Sequence, residues 1–201
     1  RTSDQKVHWP IAQEIWNKIS EAGDLYKKNY QGLYCVGHEA FVTEKDLKDG
    51  KCEIHKTAPE KIKEENWFFK LSKYKKEIEK RIKNDELKIV PESRKNEALS
   101  FLKEGLEDIS FSRPFKDLKW GVPVPNDDTQ TMYVWADALT NYISGYGLNA
   151  KASADPKGLG GIKAWEKHPA DIHVIGKDIL RFHAIIWPAM LLSANLPLPK
   201  N

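Results

Sequence analysis

Apolar positions recur at helical spacing near the start of the chain. Ile11, Ile15, Trp16 and Ile19 share one face, with Pro10 in the opening turn, so residues 10–22 are predicted as an amphipathic helix that ends at Gly23-Asp24. Residues 30–36 are aromatic and β-branched and predict a strand. Residues 35–56 are polar and turn-rich, and Trp67-Phe68-Phe69 is an apolar cluster. Leu71, Tyr74, Ile78 and Ile82 mark a second helix with a Lys- and Glu-rich outer face, and Ala98, Leu99 and Leu102 a third. The Lys-rich face (Lys73, Lys76, Lys80, Lys83) is broken by Glu77 and Glu79 and reads as solvated surface. Residues 120–124 predict an edge strand because of Pro123, and 126–128 a turn. A strand over 131–135 leads into a helix near 138–144. Residues 147–163 read as a surface loop and 164–167 as a helical turn. A strand over 172–175 then feeds a last helix from Lys177, kinked at Pro188.

Composition narrows this picture. In 201 residues, 40% are hydrophobic, enough for a real core, and 30% are charged. The net charge of +3 permits an RNA partner without requiring one. No apolar run is long enough to span a membrane, and no secretory signal is present, so cytoplasm or an organellar matrix is expected. The opening residues read as mid-domain, so the chain is expected to be a piece of a longer protein. The α/β alternation predicts an α/β fold with a nucleotide-binding type of sheet in the last third.

Two cysteines do not make a disulfide framework, and a thiol or metal role is favoured over a bridge. Cys35-x2-His38 and Cys52-x2-His55 are two pairs of matched spacing. Each pair suits one side of a tetrahedral Zn²⁺ site, and together they would close it, leaving no open position for chemistry. The other reading of the same residues is a metal-free knuckle with a small core of its own.

The segment His173-Val174-Ile175-Gly176-Lys177-Asp178 has a strand, a glycine and a helix start, the corner where nucleotide-binding α/β folds hold a ligand. Met132-Tyr133-Val134-Trp135-Ala136-Asp137-Ala138 has the same shape. These two segments, with Gly32-Leu33-Tyr34-Cys35, residues 66–74 (Asn66-Trp67-Phe68-Phe69 through Tyr74), Asp108-Ile109-Ser110 and Ser112-Arg113, resemble methionyl-tRNA synthetases over nearly the whole chain.

The resemblance implies a class I synthetase fold: part of a Rossmann-type parallel sheet from residues 1–25 and 129–201, with a zinc-knuckle connective insertion at 26–128 carrying the knuckle at 35–55. It implies an enzyme that activates methionine with ATP, using Mg²⁺, and charges tRNA. Carried to matching positions, Trp135, Ala138, Leu139, Tyr142, Ile179, Phe182 and His183 would line the methionine pocket. Gly176 and Asp178 would contact the ribose of ATP, and Lys177 would lie near the phosphates. Arg113 is a further candidate for substrate contact. Aromatic rings offer the thioether sulfur contacts of about 0.3–1.5 kcal/mol, and His183 or Tyr142 would present a donor to it. The sequence departs from the family pattern at His38, where a Cys is usual, and at Leu139, where some relatives have Pro.

The His-Ile-Gly-His-type and Lys-Met-Ser-Lys-Ser-type signatures of class I synthetases do not occur in this sequence. The first would precede Arg1 and the second would follow Asn201, so N- and C-terminal parts of the same enzyme are the expected partners. The isolated chain is expected to be inactive, for want of charge preorganised around the reacting phosphorus. Synthetases for leucine, valine or isoleucine carry a large editing insertion that the connective region is too short to hold. A rival from another class is a non-enzymatic RNA- or protein-binding module built on the knuckle.

Overall fold

The structure, a computed structural model, describes residues 1–38, 40–42, 47–52, 54–149 and 160–199. Helix α1 (His8–Glu21) buries Ile11, Ile15, Trp16 and Ile19 as the spacing predicts. Just before it, the carboxylate of Asp4 accepts hydrogen bonds from the backbone N–H groups of Lys6 and Val7 at 2.9 and 3.0 Å and shapes the entry turn.

Strand β1 (Leu25–Cys35) pairs antiparallel with β5 (Glu60–Phe69) over ten residue pairs, from Leu25 opposite Phe69 to Tyr34 opposite Glu60. Between them lie β2 (Ala40–Val42), β3 (Leu47–Lys48) and β4 (Lys51–Cys52). The order in the main sheet is β2-β1-β5-β6, with β6 at Ile109–Ser110. A second sheet runs β7-β9-β8, from Ser112–Pro114, Asp127–Met132 and Pro123–Val124. The apolar cluster at residues 67–69 is thus the end of a long strand, and the predicted strand at 30–36 is the far half of another.

Every ladder among the described residues is antiparallel. The expected parallel sheet is therefore not formed by these residues, and residues 172–176 run without a ladder partner. The reason is physical: a parallel strand needs a neighbour delivered by a crossover, and none lies beside this segment. Ile172 and Val174 are accordingly 64% and 95% exposed. The strand predicted at 131–135 also stops early, at Met132. Val134–Ala138 is helix α4, so Trp135 is a first-turn helix residue.

Helices α2 (Lys75–Lys83) and α3 (Glu92–Glu104) follow β5. Helices α5 (Asn141–Asn149) and α6 (Gly160–Lys167) take the two ends of the span predicted as loop, 147–149 and 160–163; residues 150–159 lie outside the described residues. The chain closes with α7 (Trp187–Ser193). One large core joins Ile11, Ile15 and Ile19 of α1, Ile78 and Ile82 of α2, Ala98 and Leu102 of α3, Met132 of β9 and Ile185 and Trp187 near the end. A second, separate cluster holds only Cys35, Val42 and Cys52, with Leu33 and Leu47 against it. No helix among the described residues is long and apolar enough to cross a membrane.

Two carboxylates, the buried Asp24 and the half-buried Asp127, tie distant elements together. Asp24, just after α1, accepts hydrogen bonds from Lys73 at 2.7 Å, from Ser193 of α7 at 2.8 Å and from Tyr74. Asp127 of β9 accepts from Trp67 Nε1 at 2.8 Å and Thr129 Oγ1 at 2.6 Å, and Lys27 Nζ lies 2.9 Å away. Burial raises the pKa of Asp127, but the hydrogen bonds from Thr129, Lys27 and Trp67 outweigh it and hold the carboxyl down at about 2. A depressed carboxylate stabilises the fold above its unfolded value of 3.8, and that contribution is lost as pH falls from about 4 towards 2. Asp127→Asn should therefore cost on the order of 1–2 kcal/mol at pH 7 and flatten the dependence of melting temperature on pH between 6 and 2. Identical acid slopes for the two proteins would refute this.

Candidate functional site

Pro188 organises the approach to the site. A proline in a helix lacks the N–H for its own turn and crowds the carbonyl four residues back, here that of Ala184. The chain responds with a π-helical turn over Phe182–Ile186, in which the Trp187 N–H donates to the Phe182 carbonyl. Such wide turns mark functional sites in many helices. Ahead of it, Lys177–Ile179 forms a single 3-10 turn. Where the sequence predicts a kink, the structure has this π turn, and Pro188 falls in the first turn of the helix after it.

The π turn points Phe182 and His183 to different neighbours. Phe182 stacks on Trp135, with ring centroids 3.8 Å apart and planes 15° from parallel. His183, 7% exposed, places Nε2 2.7 Å from the Tyr142 hydroxyl and Nδ1 3.0 Å from the Ile179 carbonyl. A carbonyl only accepts, so Nδ1 carries the proton. Burial lowers the pKa of His183, against the Ile179 hydrogen bond, and so favours the neutral ring. Nε2 then has a free lone pair, and the Tyr142 hydroxyl donates to it. Burial also raises the pKa of Tyr142, so the phenol stays protonated. In this arrangement both groups expected to offer a hydrogen to a thioether are engaged with each other.

The remaining predicted residues divide into those near these rings and those apart. Ala138 and Leu139 lie on and just after α4; Leu139 is buried in the main core. Ile179 is half-buried, and Gly176, Lys177 and Asp178 face solvent. Gly176 has an ordinary φ of −72°, and an added Cβ would meet nothing within 4 Å. The fold therefore does not itself require glycine there. A cavity of about 640 Å³ opens beside this turn, lined by His173, Gly176, Lys177, His183, Pro91 and Arg94.

Arg113 sits elsewhere, in a second cavity of about 630 Å³ that also holds Tyr34, Tyr133 and Asp137. It is buried and lies 3.3 Å from the Glu64 carboxylate, with its guanidinium 4.4 Å from the Tyr34 ring and 5.8 Å from that of Tyr133. Trp135 lines neither cavity.

The knuckle forms at the far end of the β1–β5 ribbon. The sulfurs of Cys35 and Cys52 and a ring nitrogen of His55 all lie within 4.8 Å of one another. His55 Nδ1 is 3.7 Å from the Cys35 sulfur and 3.6 Å from that of Cys52. Hydrogen bonding from the His55 backbone N–H, against burial, lowers the Cys52 thiol to about 7, towards the thiolate form that binds metals. The side chain of His38 lies outside the described residues. Two sulfurs and one imidazole nitrogen suit Zn²⁺. The local core also argues for an added ligand. An apolar side chain contributes about 1.5–3 kcal/mol on burial, and ordering each residue costs about 1–2 kcal/mol. Among the described residues this cluster buries three side chains, Cys35, Val42 and Cys52. Gly37 packs directly on His55: an added Cβ would come within 2.5 Å of the ring.

Comparison with known proteins follows this geometry closely. The family pattern described as class I tRNA synthetases (M) matches residues 1–46 and 42–201. The chain belongs to the methionyl-tRNA synthetase family. It is 46% identical over 201 residues to a methionine–tRNA ligase of Caldanaerobacter subterraneus, covering all of this chain and 30% of the relative. It is 47% identical over 205 residues to one of Rhizobium meliloti, covering all of this chain and 38% of the relative. The crystal structure of Mycobacterium tuberculosis methionyl-tRNA synthetase bound by methionyl-adenylate superimposes with a TM-score of 0.84 at 40% identity, over all of this chain and 38% of the other. The chain thus spans about a third of the length of the curated relatives it matches.

This methionyl-tRNA synthetase segment also holds polar groups that the motif reading passed over. Asp137 is buried, its Oδ1 has no partner among the described residues, and burial pushes its carboxyl up to about 7. His173 and Trp187 pack around Tyr142, with centroids 4.2 and 6.0 Å from its ring. Trp187 was visible as the residue four past His183. Nothing in the spacing singled out His173, because its position depends on a segment that makes no ladder. The knuckle generates a sharp expectation: Gly37→Ala should weaken Co²⁺ or Zn²⁺ binding by about tenfold or more, as ligand misplacement does. The sulfur-to-cobalt absorption reads this, and unchanged metal uptake would count against a site built on His55.

Proposed function

We propose that this chain is the connective region and second half of the catalytic core of a methionine–tRNA ligase, which activates methionine with ATP and charges tRNA. The observation that carries the reading is the meeting of Tyr142 with His183 and of Trp135 with Phe182. Two segments about forty residues apart supply facing aromatic and hydrogen-bonding groups at one place. Together with the family membership, this supports Trp135, Ala138, Leu139, Tyr142, Ile179, Phe182 and His183 as the wall of the methionine side-chain pocket. The alternative of a non-enzymatic knuckle module leaves that ring cluster without a role.

The chemistry of each group follows from its surroundings. Trp135 and Phe182 offer ring faces to a flexible, polarisable side chain. The neutral Tyr142–His183 pair keeps charge out of the pocket, which suits an uncharged thioether. Binding would require the Tyr142 hydroxyl to share its bond with His183 or turn away from it. Gly176 leaves open space where a ribose would approach, and the Asp178 carboxylate can accept both of its hydroxyls. Lys177 would lie near the phosphates of ATP, whose Mg²⁺ would add charge there. Arg113, already paired with Glu64, would reach substrate only through the second cavity.

The domain reading places residues 1–25 and 129–201 in the catalytic core and 26–128 in the insertion. Completion of the unpaired segment 172–176 by a parallel neighbour would come from the rest of the enzyme. Zn²⁺ at Cys35, Cys52, His55 and His38 would stabilise the knuckle and take no part in the reaction.

Methionine-dependent exchange of pyrophosphate into ATP tests the assignment. The complete enzyme should show it, and the 201-residue chain should not. Its absence from the complete enzyme would overturn the assignment; robust turnover by the chain alone would overturn the division of labour. In the complete enzyme, Gly176→Ala should raise KM for ATP about tenfold, the loss of roughly one good contact, with the melting temperature unchanged. An unaltered KM would remove the ribose role from this corner.

A further inference from the structure

The extended segment at 172–175 forms no strand ladder among the described residues, yet its side chains alternate cleanly. Ile172 and Val174 face outward, and His173 between them turns inward onto the ring cluster. Its imidazole meets the Tyr142 ring at 4.2 Å and 61°, an edge-on contact, and lies 6.0 Å from the His183 ring. On its other side it stacks near Trp165 at 6.4 Å and 24°. Trp165 is a fixed backing: it is fully buried and its Nε1 donates to the Pro197 carbonyl at 2.9 Å. His173 is thus held between an anchored indole and the tyrosine that hydrogen-bonds His183.

The imidazole behaves here as a ring. Its Nε2 is buried and makes no hydrogen bond among the described residues. Burial, with the nearby His183, lowers its pKa to about 4, so it is neutral at physiological pH. A group with neither charge nor a polar partner at that nitrogen acts through its flat surface. The surface it touches is Tyr142, whose hydroxyl donates to His183 Nε2 at 2.7 Å. Aromatic pairs of this kind prefer defined edge-to-face geometries, so the contact restricts rotation of the tyrosine ring.

Resting on the methionine reading of this site, we propose that His173 is a positioning residue: by packing edge-on against Tyr142 it fixes the phenol hydroxyl at the thioether end of the pocket, and so sets selection of methionine over an isosteric hydrocarbon side chain. A phenol ring held in place lets its hydroxyl share its hydrogen between His183 and a bound sulfur, and so distinguish sulfur from methylene; a freely turning ring does not. The same segment continues into Gly176, Lys177 and Asp178, so a shift of His173 would also be felt at the nucleotide corner.

The test uses the complete enzyme, with methionine and norleucine as competing substrates in pyrophosphate exchange. His173→Leu keeps bulk and removes the flat ring; His173→Phe keeps the ring. The Leu variant should lose about fivefold in the ratio of kcat/KM for methionine to that for norleucine, the equivalent of one ordinary hydrogen bond. The Phe variant should hold the ratio within about twofold. Melting temperatures of both check folding, and if the Leu variant does not fold, His173→Gln replaces it as the ring-free variant. An unchanged ratio without the ring overturns the proposal, and so does an equal loss in the Phe variant. Failure of the wild-type enzyme to use methionine at all would instead overturn the functional reading beneath it.

Discussion

The site depends on one constraint, the proline at 188. Because its ring excludes an ordinary helical turn, the backbone widens over Phe182–Ile186, and that widening sets where Phe182 and His183 point. A regular helix through this stretch would put them about 100° apart around a uniform axis. The π turn changes both the spacing and the phase. Phe182 can then stack on Trp135 while His183, one residue on, reaches Tyr142. The energetic cost of the irregular turn is borne by the surrounding core, where Ile185, Ile186 and Trp187 are buried.

Distant elements are joined by charge as much as by packing. Asp24 gathers Lys73, Tyr74 and Ser193 from two elements, and Asp127 gathers Trp67, Thr129 and Lys27. Both carboxylates stay ionised despite burial because several donors converge on each. Arg113 and Glu64 form a third such link, sandwiched by tyrosines. These links lie near the base of the β1–β5 ribbon. At its tip the sulfurs of Cys35 and Cys52 and the imidazole of His55 come together.

The pocket is notable for what its polar atoms already do. A neutral His183, a protonated Tyr142 and a neutral His173 form a nest without net charge. Burying a charged side chain in an uncharged apolar nest costs desolvation energy that nothing in the nest repays. Discrimination among uncharged side chains is harder, since one methylene in an apolar pocket changes binding by only about 1–3 kcal/mol. Precise placement of a hydroxyl adds what shape does not.

The helical period of Ile11, Ile15, Trp16 and Ile19, the matched Cys-x2-His pairs and the motif residues around 135 and 183 were legible because each is written in local spacing. Local spacing also misled. Residues 131–135 and 172–175 are β-branched and apolar enough to suggest strands, but a strand exists only with a neighbour to share its hydrogen bonds, so one ended early and the other stayed unpaired. The sequence by itself determined the family, the helical faces and the donor types at the knuckle. Only the tertiary structure decided that the Tyr142 hydroxyl donates to His183 while the His183 N–H goes to the Ile179 carbonyl, that Arg113 lies in a different cavity, and that His173 packs on the tyrosine. Those outcomes depend on distances between residues far apart in the chain, and no periodicity encodes them.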